Sequence, residues 1–259
     1  MTDTIVEMKR RVGVVMVVLV IGACGGDVAD PSLSPSLASP TAEPSATVEP
    51  SPSPEPSPSP TPSPSPEPAA MPTSIDADLS PSALPFEEMI PEGAELTGQW
   101  YAFTDEGVKV VVAWQEPGTD FARLPRGYAV WERFGAAPHW RAKLVERSDA
   151  EDAVQEIQIV TTDMSGDGSD DALVLEGIGG SGACGRWSLL DLNRLRPTFA
   201  RRLCDGRIDP GPLGEPGLVI TRSIYRQGDA HCCPSAIRET VLTWSGSAWR
   251  VARTTTHAP

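Results

Sequence analysis

Nine residues stand out for the chemistry they can do: Asp163-Met164-Ser165-Gly166-Asp167-Gly168-Ser169-Asp170-Asp171. Oxygen-bearing side chains fall at loop positions 1, 3, 5, 7 and 9 (Asp163, Ser165, Asp167, Ser169, Asp171), and glycine falls at position 6. Alternate side chains on a tight loop converge on one point, and glycine permits the sharp turn. A hard cation such as Ca2+ takes about six to eight oxygens and suits such a cradle. An EF-hand opens in the same way but needs a bidentate Glu at position 12, where this chain has Val174. The flanks, Glu156 to Thr162 and Ala172 to Leu175, alternate or run apolar as strands do, so the loop joins two strands. The same residues can also close a polar turn without metal, with Asp and Ser accepting backbone amides.

The loop resembles the calcium loop of FG-GAP or VCBS-type repeats, Asp-x-Asp/Asn/Ser-x-Asp-Gly-x-x-Asp followed by a short apolar strand, over Thr161 to Leu175. The resemblance implies that Asp163, Ser165, Asp167 and Asp171 offer side-chain oxygens, that Ser169 offers its carbonyl, and that the Ca2+ is structural. Such repeats build propellers from several copies. This chain has one copy of the loop, so a complete propeller is not expected.

The cysteines form a second set. Cys184, Cys204, Cys232 and Cys233 make an even number once Cys24 is set apart, and disulfides are the default outside the cell. Neighbours on a strand point to opposite faces, which favours Cys184 and Cys204 each bridging to one of the Cys232-Cys233 pair. The competing scheme joins Cys184 to Cys204 and leaves a vicinal Cys232-Cys233 bond. His231-Cys232-Cys233 also offers soft ligands of the kind copper takes.

An address comes from the N-terminus. Lys9, Arg10 and Arg11 precede the uncharged run Val12 to Ala23, whose 12 residues fall short of a bilayer span, which needs about 20. A basic region, a short apolar run and small residues at the cut describe a signal peptide, with Met1 or Met8 as the start. Ile21-Gly22-Ala23-Cys24 resembles a bacterial lipobox. It implies a signal peptide at 1–23 and a mature chain that begins at a diacylated Cys24. The resemblance further implies a lipoprotein anchored on the outer face of the bacterial cell membrane.

Between this anchor and the first aromatic residue lies a different kind of sequence. Of the 27 prolines, 14 fall between Pro31 and Pro68, alternating from Pro50 onward with serine, threonine or glutamate. Such a composition buries too little apolar surface to offset chain entropy. Residues 24–84 are therefore expected to form a disordered stalk, of which the stretch from Pro31 to Ala70 reaches on the order of 120 Å if extended as polyproline II at ~3.1 Å per residue. Its serines and threonines are candidates for O-glycosylation.

The head, 85–259, must position the loop and the cysteines. Short runs of period two predict strands near 97–103, 107–114, 127–133, 139–146, 154–162, 171–176, 187–193, 198–204, 217–223, 237–244 and 248–254. Asp149 to Ala153 suggests one helical turn, and Leu190 to Leu195 is ambiguous. The expected fold is mostly β: an antiparallel sandwich, a barrel or a partial propeller. Two stretches look alike, Val130-Trp131 to Gly135 leading to Trp140-Arg141, and Leu242-Thr243-Trp244 to Gly246 leading to Trp249-Arg250. They suggest related hairpins, the second placing Leu242 and Trp244 on one face with Trp249 and Val251. At least four of the seven tryptophans are expected in the core.

Other chemistry is missing from the sequence. Gly179-Gly180-Ser181-Gly182-Ala183 has neither the last glycine of a nucleophile elbow nor the Gly-Lys-Ser/Thr end of a P-loop. His139 and His231 have no zinc-type spacing, and His139 reads as a hairpin residue. A net charge of -14 argues against nucleic acid. The glycine loop and Cys232-Cys233-Pro234 resemble segments of uncharacterised bacterial exported lipoproteins, which implies no activity. The expected function is a non-catalytic, calcium-stabilised β-domain for binding an envelope glycan or an exported protein, or for envelope structure. The alternatives are a wall or polysaccharide hydrolase with an unrecognised carboxylate pair, and an accessory or inhibitor subunit of another exported protein.

Overall fold

The computed structural model describes residues 69–77, 81–118, 124–134, 139–148, 154–180, 183–230 and 232–259. The signal peptide, the lipobox at Cys24 and most of the stalk lie outside the described residues, as do the helical turn expected at 149–153 and the residues Ser181 and His231.

Among the described residues thirteen strands form three antiparallel sheets, in agreement with the mostly β expectation, and none closes into a barrel. The first sheet holds β1 (Ser74–Asp76), β2 (Glu95–Thr104), β3 (Gly107–Gln115), β4 (Arg126–Phe134) and β5 (His139–Ser148), in the order β1-β5-β4-β3-β2. The second holds β6 (Glu156–Thr162), β7 (Asp171–Gly179), β8 (Cys184–Asp191) and β9 (Arg196–Leu203) in chain order. The third holds β10 (Gly206–Pro210), β11 (Leu218–Ile224), β12 (Ala236–Trp244) and β13 (Trp249–His257), again in chain order. Each sheet is thus built on a four-stranded meander, repeated three times along the chain.

Side-chain alternation explains how the sheets stack. In β3, Val110, Val112 and Trp114 enter one core with Trp131 and Trp140, while Val111 and Ala113 enter another with Val130. A strand covered on both faces reads as a continuous apolar run, as Val110 to Trp114 does. The second core continues into Ile159, Ala172, Val174 and Leu190 of the second sheet. The other face of that sheet packs through Leu173, Leu189 and Leu203 on Ile208, Leu218, Ile220 and Leu242 of the third. Each fully buried side chain of this size contributes roughly 1.5–3 kcal/mol.

The head begins before residue 85. Ser74, Ile75 and Asp76 pair with Arg141, Trp140 and His139, and Ile75, Ala77 and Leu84 are buried against the outer face of the first sheet. Three burying side chains override the Pro/Ser-rich composition that had assigned this stretch to the stalk. His139 is a strand residue whose ring Nδ1 is hydrogen-bonded to Asp76, so it ties β5 to β1. Three tryptophans, Trp114, Trp131 and Trp140, are buried, one fewer than expected, and the other four are half-buried.

The two look-alike hairpins match in part: Trp244 opposes Trp249, whereas Arg133 opposes Trp140 and Trp131 opposes Ala142. Trp140 and Trp249 hold equivalent places, and both hairpins carry a bulge three residues later, between the pairs Val130/Leu144 and Trp131/Ala142 in one and Val241/Arg253 and Leu242/Val251 in the other. As expected, Trp244 faces Trp249, with ring centroids 5.4 Å apart. Leu190 to Leu195 resolves into the end of β8 and a turn in which Leu195 takes φ 50°.

Candidate functional site

The Asp163–Asp171 loop is the hairpin connection between β6 and β7, the strand-loop-strand setting expected of it. Asp163 accepts N–H bonds through Oδ1 from Gly166 (2.6 Å) and Asp167 (3.2 Å), and through Oδ2 from Gly168 (2.9 Å). Asp171 Oδ2 accepts from the amides of Met164 (3.0 Å) and Ser165 (2.8 Å), and Asp167 Oδ1 accepts from Ser169 (3.0 Å). These are charge-assisted bonds, stronger than neutral ones. Gly166 at φ 77° and Gly168 at φ 93° supply the backbone that only glycine adopts freely.

The loop also joins the sheets. Ser169 Oγ accepts the Asp105 amide (3.1 Å), Asp170 Oδ2 accepts the Phe103 amide (2.8 Å), and the Asp170 amide donates to Phe103 O (2.8 Å). Phe103 and Asp105 belong to the β2–β3 hairpin of the first sheet. On the other side, a Cβ placed on Gly166 would lie 3.1 Å from Cβ of Pro216, in the β10–β11 connection of the third sheet. One acidic loop, itself the first hairpin of the second meander, is therefore bonded to the first hairpin of the first meander and lies close to that of the third.

Asp171 is only 4% exposed, and its carboxyl is pushed up to about 6. Burial is the main cause and the negative charge of Asp167 adds to it, while the Ser165 and Met164 amides oppose it. The Ser165 hydroxyl is near enough to favour the ionised Asp171, yet it is buried and makes no hydrogen bond of proper geometry. Among the described residues no three His, Cys, Asp or Glu side chains are gathered as a metal cluster. The donor chemistry nevertheless fits a hard cation. Each carboxylate keeps free lone pairs beyond its amide bonds, and the Ser165 oxygen lacks a partner.

The cysteines pair otherwise than favoured. Cys184 is bonded to Cys204, with Cα atoms 4.0 Å apart. Cys184 opens β8 and Cys204 follows the end of β9, and the register Gly185↔Leu203 sets them opposite each other. Cys232 and Cys233 are exposed thiols with Sγ atoms 2.8 Å apart, and the hydrogen bond and charge of Cys232 raise the Cys233 thiol. They lie in a turn after β11, where the Cys233 amide donates to Ala230 O (2.9 Å). Strand alternation, the premise of the favoured scheme, does not apply there.

Sequence reasoning also missed a groove of about 650 Å³ beside the disulfide. Its lining includes Trp187, Leu175, Glu156, Gln158, Arg207 and Asp209. Glycine lines part of it: Gly177, Gly179 and Gly180 face the groove, and Gly177 lies opposite Gly185 across β7 and β8, where a Cβ on Gly185 would meet the Leu175 side chain at 2.3 Å. The spaced glycines from Gly177 to Gly185 were the available signal, though only the pairing of two strands shows them as one depression.

Comparison with protein-family models, with curated proteins and with solved structures finds no match.

Proposed function

We propose that this chain is a bacterial lipoprotein, held by lipid on Cys24 at the outer face of the cell membrane. Its proline-rich stalk carries a non-catalytic β-head that binds an envelope glycan or an exported protein. The observation that carries this reading is the Cys184–Cys204 bond, 20 residues apart in sequence, at the margin of an open groove. Structural disulfides belong to oxidising, extracytoplasmic space, and a recess with a half-exposed tryptophan and polar rim is the usual form of a small binding site. Fatty-acid labelling of cells is expected to mark the chain and to fail with Cys24→Ala. Label that survives the substitution overturns the anchor.

Ca2+ is the proposed structural cofactor of the loop, bound by side-chain oxygens of Asp163, Ser165, Asp167 and Asp171 with the Ser169 carbonyl. A divalent ion there would supply charge neutralisation for the acidic side chains of one short loop. Support comes from the buried Asp171 carboxyl and the buried Ser165 hydroxyl, which makes no hydrogen bond of proper geometry.

The hydrolase reading has one observation in its favour: Glu156 and Asp209 line the same groove. Asp209 is held by Arg207 Nε at 2.8 Å and Glu156 accepts from Gln158 Nε2 at 2.9 Å, an arrangement equally suited to fixing sugar hydroxyls. Turnover of a polysaccharide panel that disappears with Glu156→Gln would favour that reading over simple binding.

A further inference from the structure

Charge is divided unevenly along the chain. Residues 185–259 hold 11 arginines, no lysine and six acidic residues, a net +5 inside a chain of net -14. Some of these arginines are engaged: Arg186 with Glu176 (2.9 Å), Arg194 with Asp191 (2.6 Å) and Arg207 with Asp209. Arg201, Arg202, Arg222, Arg238, Arg250 and Arg253 are exposed and have no ion pair among the described residues.

Register shows where three of them point. Arg201 lies directly opposite Trp187, two residues before the buried Leu203, so it shares the face of the second sheet that looks toward the third. Arg222 and Arg238 lie opposite each other, two residues beyond Ile220 and Thr240, on the face of the third sheet that looks back. Gly206, which lines the groove, pairs with Arg222, and a Cβ there would sit 3.2 Å from Arg222 Cγ. Like charges directly opposite in a sheet are destabilising. A row of that kind, unpaired beside a groove, is suited to an anion supplied from outside.

We propose that the Trp187 groove and the adjoining Arg201, Arg222 and Arg238 bind an acidic polysaccharide, a sugar polymer bearing carboxylate or phosphate groups. The proposal rests on the reading of the head as a binding domain and names its ligand class. The Trp187 indole gives an apolar face for a sugar ring, while Gln158, Glu156 and Asp209 offer hydrogen bonds to hydroxyls. Guanidinium forks pair carboxylate or phosphate in bidentate fashion. Glu156 and Asp209 in the recess disfavour a nucleic acid, whose phosphates are dense. A flat membrane surface does not reach a recessed indole.

The test is equilibrium binding of the full chain to polygalacturonate, poly(glycerol phosphate), neutral dextran, duplex DNA and phosphatidylglycerol vesicles. The expected result is binding to one or both acidic polysaccharides, weakening with salt, with none to dextran. Trp187→Ala and the exposed pair Arg222→Ser with Arg238→Ser should each lower that affinity at least tenfold, with the arginine pair keeping the wild-type melting temperature. Trp187→Phe, which keeps a ring in the half-buried site, should retain binding and guards against a loss due to misfolding. Tighter binding to DNA or vesicles, affinity untouched by both the tryptophan and arginine changes, or no binding to any acidic polymer would overturn the proposal. Binding to dextran alone also overturns it but leaves the binding-head reading intact. Cleavage of an acidic polysaccharide keeps the ligand class and overturns the non-catalytic reading.

Discussion

The Asp163–Asp171 loop and the Arg222–Arg238 row treat charge in opposite ways. In the loop, Asp171 is buried, and Asp163 and Asp171 each receive backbone amides. In the row, two guanidinium groups face each other across β11 and β12, exposed and without an ion pair among the described residues. The first arrangement spends its charges on holding three hairpins together, and the second keeps its charges for something outside the fold. Stability and binding should therefore respond to different halves of the molecule.

The largest break in that contrast is expected from Asp163→Ala, which strips an acceptor from the amides of Gly166, Asp167 and Gly168. Bonds to charged groups are each worth about 1.5–3 kcal/mol, and partial solvation of an exposed loop reduces the sum. A destabilisation on the order of 3 kcal/mol in urea unfolding is expected, and a change below about 1 kcal/mol would remove the loop from its clamping role. Close behind comes Cys184→Ser with Cys204→Ser, which releases a 20-residue closure and should cost roughly 3 kcal/mol by loop-closure entropy. Thiol titration of the unreduced protein gives an independent reading: two reactive groups outside the anchor fit Cys232 and Cys233, and four contradict the bond.

Next is the pH response of the metal-free protein. Asp171 holds its proton up to about pH 6 in the fold, above its ordinary 3.8. The folded state therefore binds more protons than the unfolded state between these values, and stability falls as pH rises through that window. The loss should be on the order of 3 kcal/mol, since the shift spans roughly two units and each is worth about 1.4 kcal/mol. In EDTA, Asp171→Asn should flatten this part of the pH profile, because an amide can still accept the Met164 and Ser165 N–H groups without being charged. A profile unchanged by the substitution would assign the slope elsewhere. The smallest effect is expected from Arg238→Ser, which relieves a like-charge pair and should leave stability unchanged or raised by up to about 0.5 kcal/mol. A clear loss would show that the arginine row is structural, and would erase the contrast.

The strands were legible because alternation is local: the β3 run from Val108 to Ala113 announces a strand without knowledge of its neighbours. The misses occur where meaning comes from a distant partner. β1 is three residues in proline-rich surroundings, and only its pairing with Trp140 makes it a strand. β10, Gly-Arg-Ile-Asp-Pro, has one aliphatic side chain and ends in proline, so it has no period to read. The acidic loop was legible as a motif, but its contacts to Phe103, Asp105 and Pro216 cross sheet boundaries. The arginine-rich half was present in the sequence and was hidden by averaging, since a net charge of -14 conceals a C-terminal third of net +5.

The most direct test of the central claim is a thermal melt of the full chain at pH 7.5 in millimolar Ca2+ and in EDTA, with heat of binding measured alongside. An ion held at tens of times below the calcium concentration adds about 2 kcal/mol to stability, or roughly 4–8 °C for a domain of this size. A rise of that order in wild type, absent in Asp163→Ala and matched by a binding heat, is the predicted result. Superimposable melts with no heat would contradict it and leave the loop as a polar turn closed by its own amides.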